Sequence, residues 1–94
     1  MTVLSDGEVR SALAGHDLRG WRFDRGEIFK NYKFSTFMDA IAFIDRLARF
    51  AEEANHHPDI LVHGWNKVRL SLTNHSAGGL TEADFKMAAR IDQL

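Results

Sequence analysis

Imidazole gives and takes a proton near neutral pH, with an unperturbed pKa of about 6.5. Four of the five histidines in this chain, His56, His57, His63 and His75, fall between residues 56 and 75. Two carboxylates flank the group: Glu52 stands four residues before His56, and Asp84 stands nine after His75. A carboxylate hydrogen-bonded to an imidazole fixes the tautomer and orientation of the ring. Histidines held in this way suit general acid–base catalysis, where each positioned group contributes on the order of 10²–10⁴-fold. That is enough for an elimination that already proceeds slowly unaided. Metal chemistry fits less well. The side chains of adjacent His56 and His57 diverge on a helix or a strand, and no HxxxH or HExxH places two imidazoles on one helical face. Nucleophilic catalysis fits least, because the chain has no cysteine and neither Ser71 nor Ser76 has an elbow-like context.

Each of these residues also has a structural reading. His56 at a helix end is a favourable charge on the C-terminal dipole. Asp84, three residues after Thr81, is a capping partner at a helix start, a role compatible with orienting a histidine. Glu52 fits the solvated face of its helix, Trp65 fits a hairpin aromatic covering a sheet, and His16 and His63 read as ordinary surface or turn histidines.

The elements that must position these groups follow from periodicity. From Ser5 or Asp6, Val9, Ala12 and Leu13 recur at helical spacing until Gly15. Trp21 and Phe23 alternate with Arg22 and Asp24, Arg25-Gly26 supplies a turn, and Ile28, Tyr32 and Phe34 share one parity. This predicts a hairpin with an aromatic face, which Lys30 interrupts and which leaves Phe29 on the other side. A long helix starts near Ser35 or Thr36. Its stripe of Phe37, Ala40, Ile41, Ile44, Leu47, Ala48 and Ala51 is expected to pack on the sheet. Phe43 and Phe50 widen that face, either as core, the favoured reading, or as a contact with another subunit. The helix must end before Pro58, because proline disfavours helical geometry at His57. Ile60-Leu61-Val62, a turn at His63-Gly64, and the alternating Val68, Leu70 and Leu72 predict a second hairpin. After Gly78-Gly79, Thr81-Glu82-Ala83-Asp84 opens a last helix carrying Phe85, Ala88, Ala89 and Ile91. The predicted order is α-β-β-α-β-β-α, an α+β fold with a four-stranded antiparallel sheet and three helices on one face. Pairing of the third and fourth strands brings the start of one beside the end of the other. His56, His57 and His75 then converge at element ends, where strands fix positions and loops leave room for a ligand.

Composition narrows the partners. With 94 residues, 45% apolar and 27% charged, the chain reads as one domain, residues 1–94. A core this small favours self-association. Twelve basic against thirteen acidic residues exert no net pull towards nucleic acid. The absence of cysteine removes disulfides, zinc ribbons and thiol nucleophiles. No apolar run approaches the roughly 20 residues of a membrane span, and MTVLSDGEVR lacks a signal-like pattern, so a soluble, cytoplasmic protein is expected.

The run Glu52-x-x-x-His56-His57-Pro58, with Trp65 after six residues, His75 after nine more and Asp84 after eight more, resembles the signature of the pterin-4a-carbinolamine dehydratases. Gly20-Trp21, Ile28-Phe29, Phe34 to Phe37, Asn66-Lys67-Val68 and Gly78-Gly79-Leu80-Thr81 extend the resemblance over nearly the whole chain. It implies dehydration of 4a-hydroxytetrahydropterin to quinonoid dihydropterin, recycling the pterin of aromatic amino-acid hydroxylases without a metal or organic cofactor. His56 and His75 become the acid–base candidates, with His57 holding or polarising the pterin and Glu52 and Asp84 orienting imidazoles. Trp21, Pro58 and Trp65 become substrate-binding positions. The family forms dimers or tetramers. Some of its members act as dimerisation cofactors of a transcription factor, so an interaction module on the same fold is the alternative function.

Overall fold

Ile28, Val68, Leu70 and Leu72 are at most 1% exposed, and all lie at one parity of their strands. The intervening residues, such as Phe29, Arg69 and Ser71, are only half-buried. A sheet with every buried side chain on one parity carries its helices on that face alone. The computed structural model describes residues 2–94. Its elements run α1 (Asp6–Gly15), β1 (Arg22–Asp24), β2 (Glu27–Lys33), α2 (Phe37–Ala54), β3 (Asp59–His63), β4 (Lys67–Leu72) and α3 (Glu82–Ile91). The sheet is antiparallel throughout, in the order β1-β2-β4-β3. Element order and architecture are those predicted from periodicity.

Helix starts follow local chemistry. Ser5 caps α1 reciprocally with Glu8, and the Thr36 hydroxyl accepts the Asp39 N–H at 3.0 Å to start α2. The strand pairs that matter for the core are Ile28 with Leu72 and Tyr32 with Val68. Lys30, the break in parity seen in the sequence, sends its ammonium to Asp92 at 2.9 Å. The helix-free face is polar. There the Arg69 guanidinium lies 4.1 Å from the Phe29 ring centre and 3.9 Å from a Glu27 oxygen.

The buried face of α2 departs from the expected stripe. It consists of Ala40, Phe43, Leu47 and Ala51, while Phe37 is 48% exposed, Ala48 is exposed, and Ile41 and Ile44 are half-buried. An aromatic cluster explains the rotation. The Phe43 ring lies 4.8 Å from Tyr32 and 5.2 Å from Phe34, and such tilted ring pairs favour one another beyond their buried area. Phe43 is therefore core, as favoured, and Phe50 packs half-buried against that core.

Within this cluster the Tyr32 hydroxyl is buried with no hydrogen-bond partner among the described residues. Burial, reinforced by the charge of Asp92, pushes its ionisation well above the ordinary phenol range. Leaving a buried hydroxyl unsatisfied costs about 1–3 kcal/mol. Tyr32→Phe is therefore expected to hold or raise the thermal midpoint. A clear drop would show that the hydroxyl has a partner in solution.

Candidate active site

The end of α2 sets the position of His56. Asn55 takes the left-handed conformation (φ 50°, ψ 41°), and the His56 N–H reaches back five residues to the Ala51 carbonyl at 3.1 Å. This is a Schellman-type stop, and asparagine tolerates the required geometry better than most residues. The chain turns sharply, and Pro58 then directs it into β3. His56 points inward with its side chain 19% exposed, while His57 points outward with its side chain 58% exposed.

Asp84 meets His56 from α3. Its side chain is fully buried, and its two oxygens have separate tasks. Oδ2 accepts the Thr81 N–H at 2.9 Å, closing the capping box, and Oδ1 lies 2.8 Å from His56 Nε2. A carboxylate only accepts hydrogen bonds, so His56 Nε2 carries the proton of that contact. Nδ1 is then the nitrogen left for a ligand. Glu52 pairs in the same manner with His57 Nε2 at 2.7 Å, but both partners are exposed, and such a pair is worth about 0–1 kcal/mol. Glu52 and Asp84 thus each contact a histidine of the cluster, one pair exposed and the other buried.

His75 is presented by the loop after β4. Asn74 organises this loop: its backbone bridges Gly79 in both directions at 3.1 Å, and its side-chain oxygen accepts the Ala77 N–H at 3.0 Å. Gly78 closes the turn at φ 85°, where a side chain is strained. A Cβ on Gly79 would sit 2.8 Å from a Val3 methyl, so the loop also packs closely on the N-terminal segment. Thr73 ties the loop to the β1–β2 turn by donating to the Gly26 carbonyl at 2.9 Å. His75 itself is exposed and makes no side-chain hydrogen bond among the described residues.

His56, His57 and His75 line one cleft of about 620 Å³, together with Phe50, Asn74, Met87 and residues of the α3 surface. Glu52 and Asp84 stand behind the histidines and do not line it. Among the described residues, no group of three or more His, Cys, Asp or Glu side chains is arranged to hold a metal ion.

Three expected substrate-binding residues lie outside this cleft. Trp21 is 5% exposed in the core and donates its indole N–H to Asp92 at 2.9 Å, so its face is occupied by packing. Pro58 is buried. Trp65 is 62% exposed at the tip of the β3–β4 hairpin, with φ 59°. The five-residue strand β3 separates it from His57, a length of roughly 17 Å. His16 and His63 are also elsewhere. His16 stacks on Phe85 and contacts Glu82 at 2.7 Å, and His63 ends β3. Sequence reasoning missed Lys86 and Arg90, which line the cleft from α3. The usable signal was the spacing of Ala83, Lys86, Met87 and Arg90, one helical face that runs beside the core stripe.

An α+β scaffold whose sheet and helix ends gather three histidines, two of them backed by carboxylates, is chemically equipped to move protons on a small molecule. The chain belongs to the pterin-4-alpha-carbinolamine dehydratase family, whose model, described as Pterin 4 alpha carbinolamine dehydratase, matches residues 2–94. It is 48% identical over 93 residues to a protein of Roseiflexus sp. (strain RS-1) named "Putative pterin-4-alpha-carbinolamine dehydratase", covering 99% of this chain and 97% of that one. A protein of the same name from Mycobacterium bovis (strain BCG / Pasteur 1173P2) is 46% identical over 94 residues, covering 100% and 97%. Among solved structures, a transcriptional coactivator/pterin dehydratase from Brucella melitensis superposes with a TM-score of 0.88 at 34% identity, covering 98% and 97%. A pterin dehydratase-like protein identified as a RuBisCO assembly factor in the alpha-carboxysome superposes with a TM-score of 0.66 at 32% identity, covering 80% and 88%.

Proposed function

We propose that this chain dehydrates a 4a-hydroxytetrahydropterin to the quinonoid dihydropterin by histidine acid–base catalysis, recycling the pterin of aromatic amino-acid hydroxylases. The observation that carries this reading is the convergence of His56, His57 and His75 on one cleft in a chain of this family. The C4a–O bond breaks and its oxygen leaves as water, taking a proton from one imidazole. The N5–H proton passes to another, and the electron pair it leaves forms the C4a=N5 bond. His56, oriented by Asp84, and His75, free on its loop, divide these transfers, while His57 holds or polarises the ring. Side chains alone supply the chemistry in this reading, with no metal or organic cofactor. The test is the dehydration of 4a-hydroxytetrahydropterin generated in situ: the purified protein is expected to exceed the buffer rate by orders of magnitude, and a rate equal to buffer removes the reading.

Self-association belongs to the same proposal. All five residues of edge strand β3 are exposed, including Ile60 at 37%, Leu61 at 56% and Val62 at 36%. An apolar edge of this kind is a template for another strand. Antiparallel pairing of two copies about Leu61 sets Asp59 of one opposite His63 of the other, a complementary match. Ile60→Lys with Val62→Lys is expected to shift the protein from dimer or larger to monomer by light scattering. An unchanged mass would move the contact elsewhere.

A second reading, a protein-interaction module, is favoured by the coactivator and assembly-factor roles in the names of the two solved neighbours. It predicts that histidine variants keep every function of the chain. Loss of dehydration in those variants decides for the enzyme.

A further inference from the structure

The cleft is more cationic than dehydration of a neutral pterin requires. Lys86 and Arg90 line it beside the three histidines, and no aspartate or glutamate does, although thirteen Asp and Glu outnumber twelve Lys and Arg in the chain as a whole. The two carboxylates nearest the site are occupied behind His56 and His57. Lys86 and Arg90 stand four residues apart on α3, a spacing at which like charges repel on a helix. Among the described residues neither has a carboxylate within ion-pair distance. Arg90 in the last turn complements the helix dipole, but Lys86 in mid-helix gains nothing from it. The Arg90 guanidinium lies 4.1 Å from the centre of the Phe50 ring, itself a wall of the cleft. Stacking of this kind holds the guanidinium plane and leaves its N–H edges free to meet an anion. Arg90 lies six residues beyond Asp84, about 9 Å along the helix axis. Arg90 is therefore offset along α3 from the turn that meets His56, with Lys86 about 3 Å from Asp84 between them.

We infer that the ligand of this cleft carries an anionic tail, a phosphate or a carboxylate, that seats on Lys86 and Arg90 while its ring lies among the histidines. The inference rests on the dehydratase reading and adds the class of pterin: one whose side chain is charged. The two cations position the substrate and take no part in the proton transfers.

Calorimetric titration of the full chain with 6-hydroxymethylpterin, its phosphate ester and a pteroylglutamate tests this directly. At low salt, at least one anionic compound is expected to bind at least tenfold more tightly than the neutral one, as charge-assisted hydrogen bonds allow. The ester and the pteroylglutamate distinguish phosphate from carboxylate. The preference should shrink as salt rises and fall towards one in Lys86→Gln/Arg90→Gln. Equal affinities in the wild type, or a preference that survives the double substitution, overturn the inference. Assay of the corresponding 4a-hydroxy compounds separates it from the reading beneath it. Turnover without discrimination between tails, with equal binding, sinks the charged-tail inference alone. Tail-dependent binding without turnover of any compound sinks the dehydratase reading and leaves the anion site.

Discussion

His75→Ala is expected to lower the dehydration rate on the order of 10²–10⁴-fold and to leave folding almost untouched. The separation follows from where His75 sits. Its loop is held by the Asn74–Gly79 bridge, the Asn74–Ala77 contact and the Thr73–Gly26 hydrogen bond, none of which uses the imidazole. The ring is exposed and has no side-chain partner among the described residues, so its removal leaves no orphaned group and no cavity. Surface substitutions of this kind usually stay within about 0.5 kcal/mol. His56→Ala should slow dehydration comparably while also lowering stability, because it strips the buried Asp84 oxygen of its partner. Measuring kcat and the thermal midpoint for both variants gives a two-by-two pattern: activity alone for His75, activity and stability together for His56. Full activity in His75→Ala would remove it from the chemistry. A large stability loss in that variant would make its role structural.

The sequence was most informative where one physical signal dominated. The parity of Ile28, Val68, Leu70 and Leu72 predicts the sheet because burial on one face demands it, and the pairing of β3 with β4 then brings His56 and His57 towards His75. It was less informative where two signals competed. Phe37 and Phe43 both fit an apolar face of α2, and only the ring contacts of Phe43 with Tyr32 and Phe34 decide between them. Trp21 fits both a stacking surface and a core residue. Its hydrogen bond to Asp92, at the far end of the chain, commits it to the core, and no local pattern announces that contact. The turn at Asn55 was likewise hidden behind the stronger stop signal of Pro58. Lys86 and Arg90 drew no notice in the sequence, because only the docking of α3 beside the end of α2 brings them to the cleft.

Asp84 carries the other large expected effect, because one carboxylate both closes the α3 cap and fixes the His56 ring. In Asp84→Asn the side chain keeps its shape, and its remaining oxygen can still accept the Thr81 N–H. The amide NH2 then faces His56 Nε2, where it donates instead of accepting. His56 must present a lone pair at Nε2 and move its proton to Nδ1, so as a base it no longer accepts there, and as an acid its imidazolium loses the Asp84 charge that stabilises it. The expected result is a loss in kcat of about 10²–10⁴-fold, with only about 1 kcal/mol of stability given up. Asp84→Ala removes both contacts together. Losing the cap contact leaves the Thr81 N–H, and losing the ring contact leaves His56 Nε2–H, without that acceptor in a buried place, at about 1–3 kcal/mol for each. Against a total stability of about 5–15 kcal/mol, this variant should be markedly destabilised, while Asp84→Asn should fold. Nitrogen NMR of the His56 ring distinguishes the two tautomers in wild type and Asp84→Asn. A full rate in Asp84→Asn, or an unchanged tautomer with a lost rate, would show that Asp84 does not act through His56.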